Sequence, residues 1–257
     1  MSNPLVSVII PAYNAEKFII ESVDSVFAQT YRPIEIIVID DGSTDGTAGI
    51  IKYYKTKKIN HNEQTDLIYI YQENSGPSKA RNTGINAARG EFIAFLDADD
   101  LWTKTKLETQ MNYMRANPEI SLVFGDMMVF NEQGTLVDSA FRKYGYPECD
   151  KKGKVLNAFE SLLIRNYVST GTVLLRRDCF KITGYFDENI KHAEDYDLWL
   201  RVTLNFEVGC ISEVFRLKRI HNFNLAKEEE DFYKSNIYIL RKIRKDYSSM
   251  IIDRKID

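Results

Sequence analysis

The chain has 257 residues, with 34 Lys and Arg against 37 Asp and Glu and a formal net charge of −3. Hydrophobic residues make up 44%, charged residues 28% and aromatics 12%, which supplies a core and excludes a disordered, collagen-like or coiled-coil chain. The length fits one large domain or two closely joined halves, and with no positive excess a nucleic-acid partner is not expected.

Leu5 to Ile10 is a short β-branched run closed by Pro11 and predicts a buried strand. Phe18, Ile19, Val23, Val26 and Phe27 fall at helical spacing across 15–29, and Ile34 to Ile39 predicts a second strand stopped by Asp40-Asp41-Gly42. A helix over 44–55, a strand over 66–71 and a helix over 77–88 follow, then a fourth strand, Glu91 to Leu96, runs into Asp97-Ala98-Asp99-Asp100. Strand–helix alternation with near-continuous apolar strands predicts an α/β fold, its mostly parallel sheet covered on both faces. In such sheets ligands gather at the carboxyl ends of strands, where the polar clusters 11–14, 40–45 and 97–100 fall.

From residue 103 the pattern changes. A helix is expected over 104–116, a strand over 121–130, a turn at Gly134 and a polar loop over 138–153. A helix near 156–164, a strand over 171–176 and a helix near 192–205 complete the body. Residues 228–245 alternate acidic, aromatic and basic residues in a helical manner. Lys234, Arg241, Lys242, Arg244, Lys245, Arg254 and Lys255 make this end basic, so it either docks on the body as an ordinary amphipathic helix or touches anionic lipid. No repeat or low-complexity linker separates the halves.

Cys149, Cys179 and Cys210 are widely spaced, with no C-x-x-C pair; reduced thiols are expected, not a zinc site or a disulfide framework. Met1-Ser2-Asn3-Pro4 carries no basic segment before the first apolar run, and no apolar stretch approaches the roughly 18 residues of a membrane span. A soluble cytoplasmic protein is the expectation.

Asp97 and Asp99 are the sharpest chemical feature. In extended chain, residues two apart point the same way, so both carboxylates face one bound object, and carboxylate oxygens suit magnesium or manganese. Asp100 either joins them or caps the following helix. In Asp40-Asp41-Gly42-Ser43-Thr44-Asp45 the turn falls to Gly42, Ser43 and Asp45, with Ser43 or Thr44 as helix N-cap and Asp41 left to accept from a base or ribose. Lys79 and Arg81 open a helix, where cations oppose its dipole and need an anion: a diphosphate or a nearby carboxylate. Glu194-Asp195-Tyr196-Asp197 places acids at a helix start, which the dipole alone explains, and Asp195 is also a candidate general base. Of His61, His192 and His221, the last follows a strand-like segment and either serves structure or approaches a metal or phosphate. No G-x-G-x-x-G or Walker A pattern occurs.

Taken in order, six segments resemble the inverting family 2 glycosyltransferases of the GT-A fold. They are Val6 to Asn14, Ser25 to Thr30, Ile39 to Asp45, Gly76 to Gly84, Phe95 to Asp100 and Glu194 to Arg201. The resemblance covers roughly 5–225 and implies a single Rossmann-like mixed sheet flanked by helices, with a C-terminal helical tail. It divides the chain into a catalytic domain, 1–227, and a basic amphipathic tail, 228–257. Within the domain, 1–100 would hold the nucleotide and 101–227 the acceptor.

The roles it implies are Pro11, Ala12 and Tyr13 lining the nucleotide pocket, Asp41 on the base, and Lys79 and Arg81 on the phosphates. Asp97 would meet the ribose or the metal and Ala98 the nucleotide sugar, Asp99 and His221 would meet a divalent metal, manganese or magnesium, and Asp195 would be the catalytic base. The family often shows Tyr-Arg before this histidine; here Arg219-Ile220 precede it. The Q-x-x-R-W motif and added membrane helices of processive members do not occur in the sequence. The expectation is one sugar moved per encounter from a UDP-sugar to a glycan or lipid-linked saccharide in cell-surface polysaccharide synthesis, with the basic tail at the inner face of the membrane. The alternatives are a sugar-nucleotide-binding protein without turnover and a nucleotidyltransferase.

Overall fold

A computed structural model describes residues 3–58, 64–221 and 229–248. His61, Arg254 and Lys255 lie outside the described residues.

The first half follows the expected alternation. Strands β1 (Val6–Ala12), β2 (Ile34–Asp41), β3 (Thr65–Gln72) and β4 (Phe92–Phe95) interleave with helices α1 (Ile19–Phe27), α2 (Thr47–Lys58) and α3 (Pro77–Ala87). β1 pairs in parallel with both β2 and β4, and β2 with β3. All eight residues of β2 are buried, as a strand covered on two faces requires. Alternate residues feed separate cores. Ile9, Ile37, Ile39, Ile93 and Phe95 point into one cluster, and Val8, Ile10, Ile36, Val38 and Ala94 into the other. Helix α3 lies so close on β1 that a Cβ on Gly84 would stand 2.4 Å from Ile9 Cγ2.

Helix α2 begins later than expected. Asp45 caps it, its Oδ1 accepting from Thr47 N at 2.9 Å, while Ser43 Oγ and Asn14 Oδ1 are spent joining the loops after β1 and β2.

The second half is less regular than its hydrophobic pattern. Short β5 (Leu101–Trp102) precedes α4 (Lys106–Ala116), β6 (Ile120–Asn131) and β7 (Gly134–Val137). The expected loop over 138–153 contains helix α5 (Ala140–Tyr144), started by Ser139, whose Oγ accepts from Arg142 N. Helix α6 (Ala158–Ile164) follows. The expected strand over 171–176 is half a 3-10 turn, Thr170–Thr172, and half strand, β8 (Leu174–Arg176). A second 3-10 turn and α7 (Phe180–Thr183) lead to α8 (Glu194–Asn205), β9 (Glu207–Arg219) and α9 (Glu229–Asp246).

Among the described residues one mixed sheet runs β3-β2-β1-β4-β8-β6-β9-β5, with β7 on β6. β8 is antiparallel to both β4 and β6, so it stitches the parallel first half to the second. Helix α9 docks by burying Ile239 and Ile243, and Lys242 Nζ reaches Asp187 at 2.6 Å and Asp197 of α8 at 2.9 Å. No helix among the described residues is long and apolar enough to cross a membrane.

Candidate active site

The carboxyl ends of β1, β2 and β4 meet at one edge because the three strands are parallel and adjacent. Ala12 pairs with Asp40 there and is buried, as a residue inside the β1 ladder must be, while Tyr13, just past it, is 54% exposed. Pro11 lies between them and the strand core, opposite Ile39. Asp41 is 4% exposed and turned toward its own chain: Ser75 N and Gln72 Nε2 donate to Oδ1, Gly76 N to Oδ2. It thus holds the entry to α3, where Gly76 adopts φ +88, a conformation that favours glycine.

Arg81, on α3, is the bridge between the halves. Its Nη1 donates to Glu194 Oε1 at 2.6 Å and its Nη2 to Asp97 Oδ1 at 3.1 Å. Burial works against its charge, and Asp97 and Glu194 more than compensate, so its pKa is raised. Arg81 Nε is buried without a hydrogen-bond partner among the described residues. The anion that the helix-start cations need is therefore carboxylate in this structure. Lys79 is nearly half exposed and pairs with Glu188 at 3.3 Å.

The Asp97–Asp100 segment departs from expectation. β4 ends at Phe95 and a turn follows, Asp100 N donating to Asp97 O at 3.1 Å. The strand alternation that would aim Asp97 and Asp99 the same way does not extend to them. Asp97 lies between two guanidiniums, with Arg216 Nη2 on its Oδ2 at 2.7 Å opposite Arg81. Burial would raise its pKa, but Arg216 and Arg81 outweigh it and hold the carboxyl at about 2. Asp100 does not cap a helix: it is 1% exposed, takes Arg216 Nε, and accepts from Arg219 N at 2.8 Å. Burial pushes its carboxyl up to about 6; Arg216 pulls the other way, and the Asp97 and Asp99 charges add to the rise. Ala98 is buried, its carbonyl accepting from Ser22 Oγ at 2.7 Å.

Asp99 Oδ2 and His221 Nε2 are 3.1 Å apart. The imidazole stacks on Phe18, centroids 4.4 Å apart, and Arg219, two residues earlier, donates from Nε to Asp99 O at 3.0 Å. Arg219 at the end of β9 and His221 just beyond it thus both reach the aspartate turn, from 120 and 122 residues away in sequence.

Asp195 lies in the first turn of α8, after Ala193, whose φ of 59 sets the sharp entry. Tyr196 N donates to its Oδ1 and Thr170 Oγ1 to its Oδ2, both at 2.7 Å. Its neighbour Glu194 is linked through Arg81 to Asp97 by two consecutive ion pairs. The structure brings the sequence-predicted Arg81, Asp97, Asp99, Asp195 and His221 into one neighbourhood with Arg216, Ser169 and Thr170, which the sequence did not single out. Arg216 has a faint signal, a cation inside an otherwise apolar stretch of β9. The register of β6 against β9 shifts between Gly125 and Met127, beside Arg216, so alternation cannot say which way its side chain points.

The fold and these residues define an α/β transferase of the GT-A kind. The chain matches the family model for glycosyl transferase family 2 over residues 7–179, and it belongs to that family. It is 32% identical over 249 residues to the putative teichuronic acid biosynthesis glycosyltransferase TuaG of Bacillus subtilis, covering 94% of this chain and 89% of that one. An uncharacterised glycosyltransferase of Rickettsia typhi is 31% identical over 258 residues, covering 97% and 76%. Among solved structures, residues 1–349 of S. aureus TarS in complex with UDP-GlcNAc superpose with a TM-score of 0.70 at 26% identity, covering 93% of this chain and 66% of that one. The complex of the same TarS segment with UDP gives 0.69, covering 93% and 65%, so the chain spans less than two thirds of those structures. A mannosyltransferase from Pyrobaculum calidifontis, in complex with GDP-Man and Mn2+, has a TM-score of 0.62 at 20% identity, covering 87% and 59%, a likeness of fold.

Proposed function

We propose that the chain moves one sugar, with inversion, from a uridine-nucleotide donor to a hydroxyl of a cell-surface glycan or lipid-linked saccharide. One observation carries this reading: Arg81 ties Glu194, next to Asp195, to Asp97, so the carboxylates assigned here to the donor and the one assigned as base are neighbours. The TarS complexes with UDP and UDP-GlcNAc support the donor class, and the likeness to TuaG supports a cell-surface polymer.

In this mechanism Pro11, Ala12 and Tyr13 line the base and Asp41 and Asp97 meet the nucleoside, with Ala98 packed behind. Arg81 and Lys79 face the phosphates, and the buried, unpartnered Arg81 Nε is a donor held ready for an anion. Asp195 takes the proton of the attacking hydroxyl on the face opposite the departing diphosphate, a contribution of about 10²- to 10⁴-fold.

The chemistry of the donor set fits a divalent cation, since a carboxylate oxygen and an imidazole nitrogen converge at Asp99 and His221. Among the described residues no group of three or more His, Cys, Asp or Glu could hold a metal, so phosphate and water oxygens would complete the shell. Manganese or magnesium bound there would supply Lewis-acid neutralisation of charge growing on the diphosphate.

A thermal-shift screen of nucleotide sugars with manganese tests the reading. A donor that stabilises the protein more than its bare nucleotide identifies the sugar; no stabilisation by any of them overturns it. Asp99→Asn is expected to weaken manganese-dependent donor binding about tenfold to a hundredfold, with metal-free binding unchanged, by calorimetry.

The outward face of α9 suits an anionic membrane surface, where a lipid-linked acceptor would be met. Tyr233, Ile237 and Leu240 form an exposed strip, and Lys234, Arg241 and Lys245 run beside it. Removing residues 228–257 is expected to abolish sedimentation with phosphatidylserine vesicles and to leave phosphatidylcholine vesicles unbound as before; unchanged sedimentation removes the membrane role.

A further inference from the structure

The segment Ser169 to Val173 is gripped more tightly than a connecting turn needs. Arg216 Nη1 donates to Ser169 Oγ at 2.7 Å. Trp102 Nε1 donates to Gly171 O at 2.8 Å, Gln110 Nε2 to Thr172 O at 2.7 Å, and the buried Lys106 Nζ to Val173 O at 3.2 Å. Gly171 lies so close on Arg216 that a Cβ would stand 2.6 Å from its Cδ. Inside the turn, Thr172 N and Oγ1 both donate to Ser169 O at 2.8 Å. Thr170, Gly171 and Thr172 are all buried. β5, α4 and β9 each contribute to this grip, and the side chain the turn directs at α8 is Thr170, whose Oγ1 donates to Asp195 Oδ2 at 2.7 Å.

From this placement we infer that Thr170 is a positioning residue for the catalytic base, fixing the Asp195 carboxylate so that one oxygen faces the acceptor hydroxyl. Among the described residues, donors from different elements then hold the plane of the carboxylate, Tyr196 N from α8 and Thr170 Oγ1 from the gripped turn. A backbone donor alone leaves the carboxylate able to swing about its side-chain torsions; a second, held by neighbouring elements, removes that freedom. The same Arg216 that clamps Ser169 holds Asp97 and Asp100, so the turn's position is tied to the donor-side carboxylates. The inference rests on Asp195 being the base.

Among the described residues the charged groups that face Asp195 include Arg81 from α3, whose charge it helps hold, and Glu194 beside it on α8; Arg216 on β9 and Asp97 on the β4 turn lie one partner further away. Thr170→Val removes a hydroxyl and nothing charged, so these stay in place. Losing a donor disfavours the ionised carboxylate, so the Asp195 pKa should rise.

The test needs no knowledge of the acceptor. In protein with 13C-labelled aspartate carboxyls, the Asp195 resonance is assigned as the one missing from Asp195→Asn. In Thr170→Val it is expected to titrate about one pH unit higher than in the parent, and in Thr170→Ser to return to the parent midpoint. An unchanged midpoint in a folded Thr170→Val overturns the inference, as does a Thr170→Ser midpoint that moves as far as that of Thr170→Val. With the donor found by thermal shift, Thr170→Val should lower kcat about tenfold to a hundredfold with donor KM within about twofold. The acid limb of its rate profile should move to higher pH, and Thr170→Ser should restore both. If Asp195→Asn keeps parental turnover, the base assignment falls independently of what Thr170 does to the titration.

Discussion

Asp195→Asn is expected to lower turnover by a factor of about 10² to 10⁴ while donor affinity stays within about twofold of the parent. The side chain keeps its shape, and its carbonyl oxygen can still accept from Tyr196 N or Thr170 Oγ1, which hold the carboxylate at 2.7 Å on either oxygen. What is lost, on the proposed mechanism, is the basic oxygen that would take a proton from the acceptor. Donor binding is spared because Arg81 keeps both of its ion-pair partners, Glu194 and Asp97. Glu194→Gln is the informative control: it leaves the base intact and loosens Arg81, so it should raise donor KM more than it lowers kcat. The measurements are initial rates of nucleoside diphosphate release and calorimetric donor affinity. An Asp195→Asn variant with parental turnover sinks the assignment.

The first half of the fold is legible because its physics is local. Apart from Ser7 and Glu35, β1 and β2 are apolar up to the aspartates that close β2, and a strand buried on both faces leaves that trace in sequence. β2 closes at Asp41, whereas β4 stops at Phe95, two residues short of Asp97. The second half hides its elements where partners come from afar. β5 is two residues long and exists through its pairing with β9, and β8 keeps three residues of an apolar run that looks like a longer strand. The Ser169–Thr172 turn has no pattern of its own; Trp102, Gln110 and Arg216 hold it from 69, 62 and 47 residues away in sequence.

The site divides in the same way. Arg81, Asp97, Asp99 and Asp195 stand in segments with a recognisable order, and their residue types announce charge chemistry. The sequence could not show which carboxylate would be neutralised by which cation, because that depends on the approach of β9. Asp41 also reads differently in three dimensions. A lone carboxylate after a strand suggests a ligand, and the structure shows it holding Ser75 and Gly76 at the start of α3. That bond positions the helix carrying Arg81, so its service to the site includes shaping the scaffold.

Arg216→Met should have the largest effect on stability. The guanidinium is buried, and it joins Asp97 at 2.7 Å, Ser169 at 2.7 Å and Asp100. Methionine fills much of the same volume and leaves two carboxylates short of their counter-charge. Removing one partner of a buried ionic cluster costs about 3–5 kcal/mol, which for a domain of this size lowers Tm by roughly 10 °C. In the parent, Asp97 is held at about 2, below its ordinary 3.8. Its share of stability is therefore present above about pH 4 and lost as pH falls toward 2. Without Arg216, the Asp97 and Asp100 pKa values both rise, and protonation relieves the uncompensated charge. The stability gap between parent and variant should accordingly narrow as pH falls from 7 to 5, read as the difference in Tm across that range. Arg216→Lys should fall between the two, because an ammonium supplies the charge but not the fork that reaches Asp97, Asp100 and Ser169 together. A methionine variant as stable as the parent at pH 7 would mean that water reaches these carboxylates, and the strut between the donor-side turn and the base would lose its physical basis.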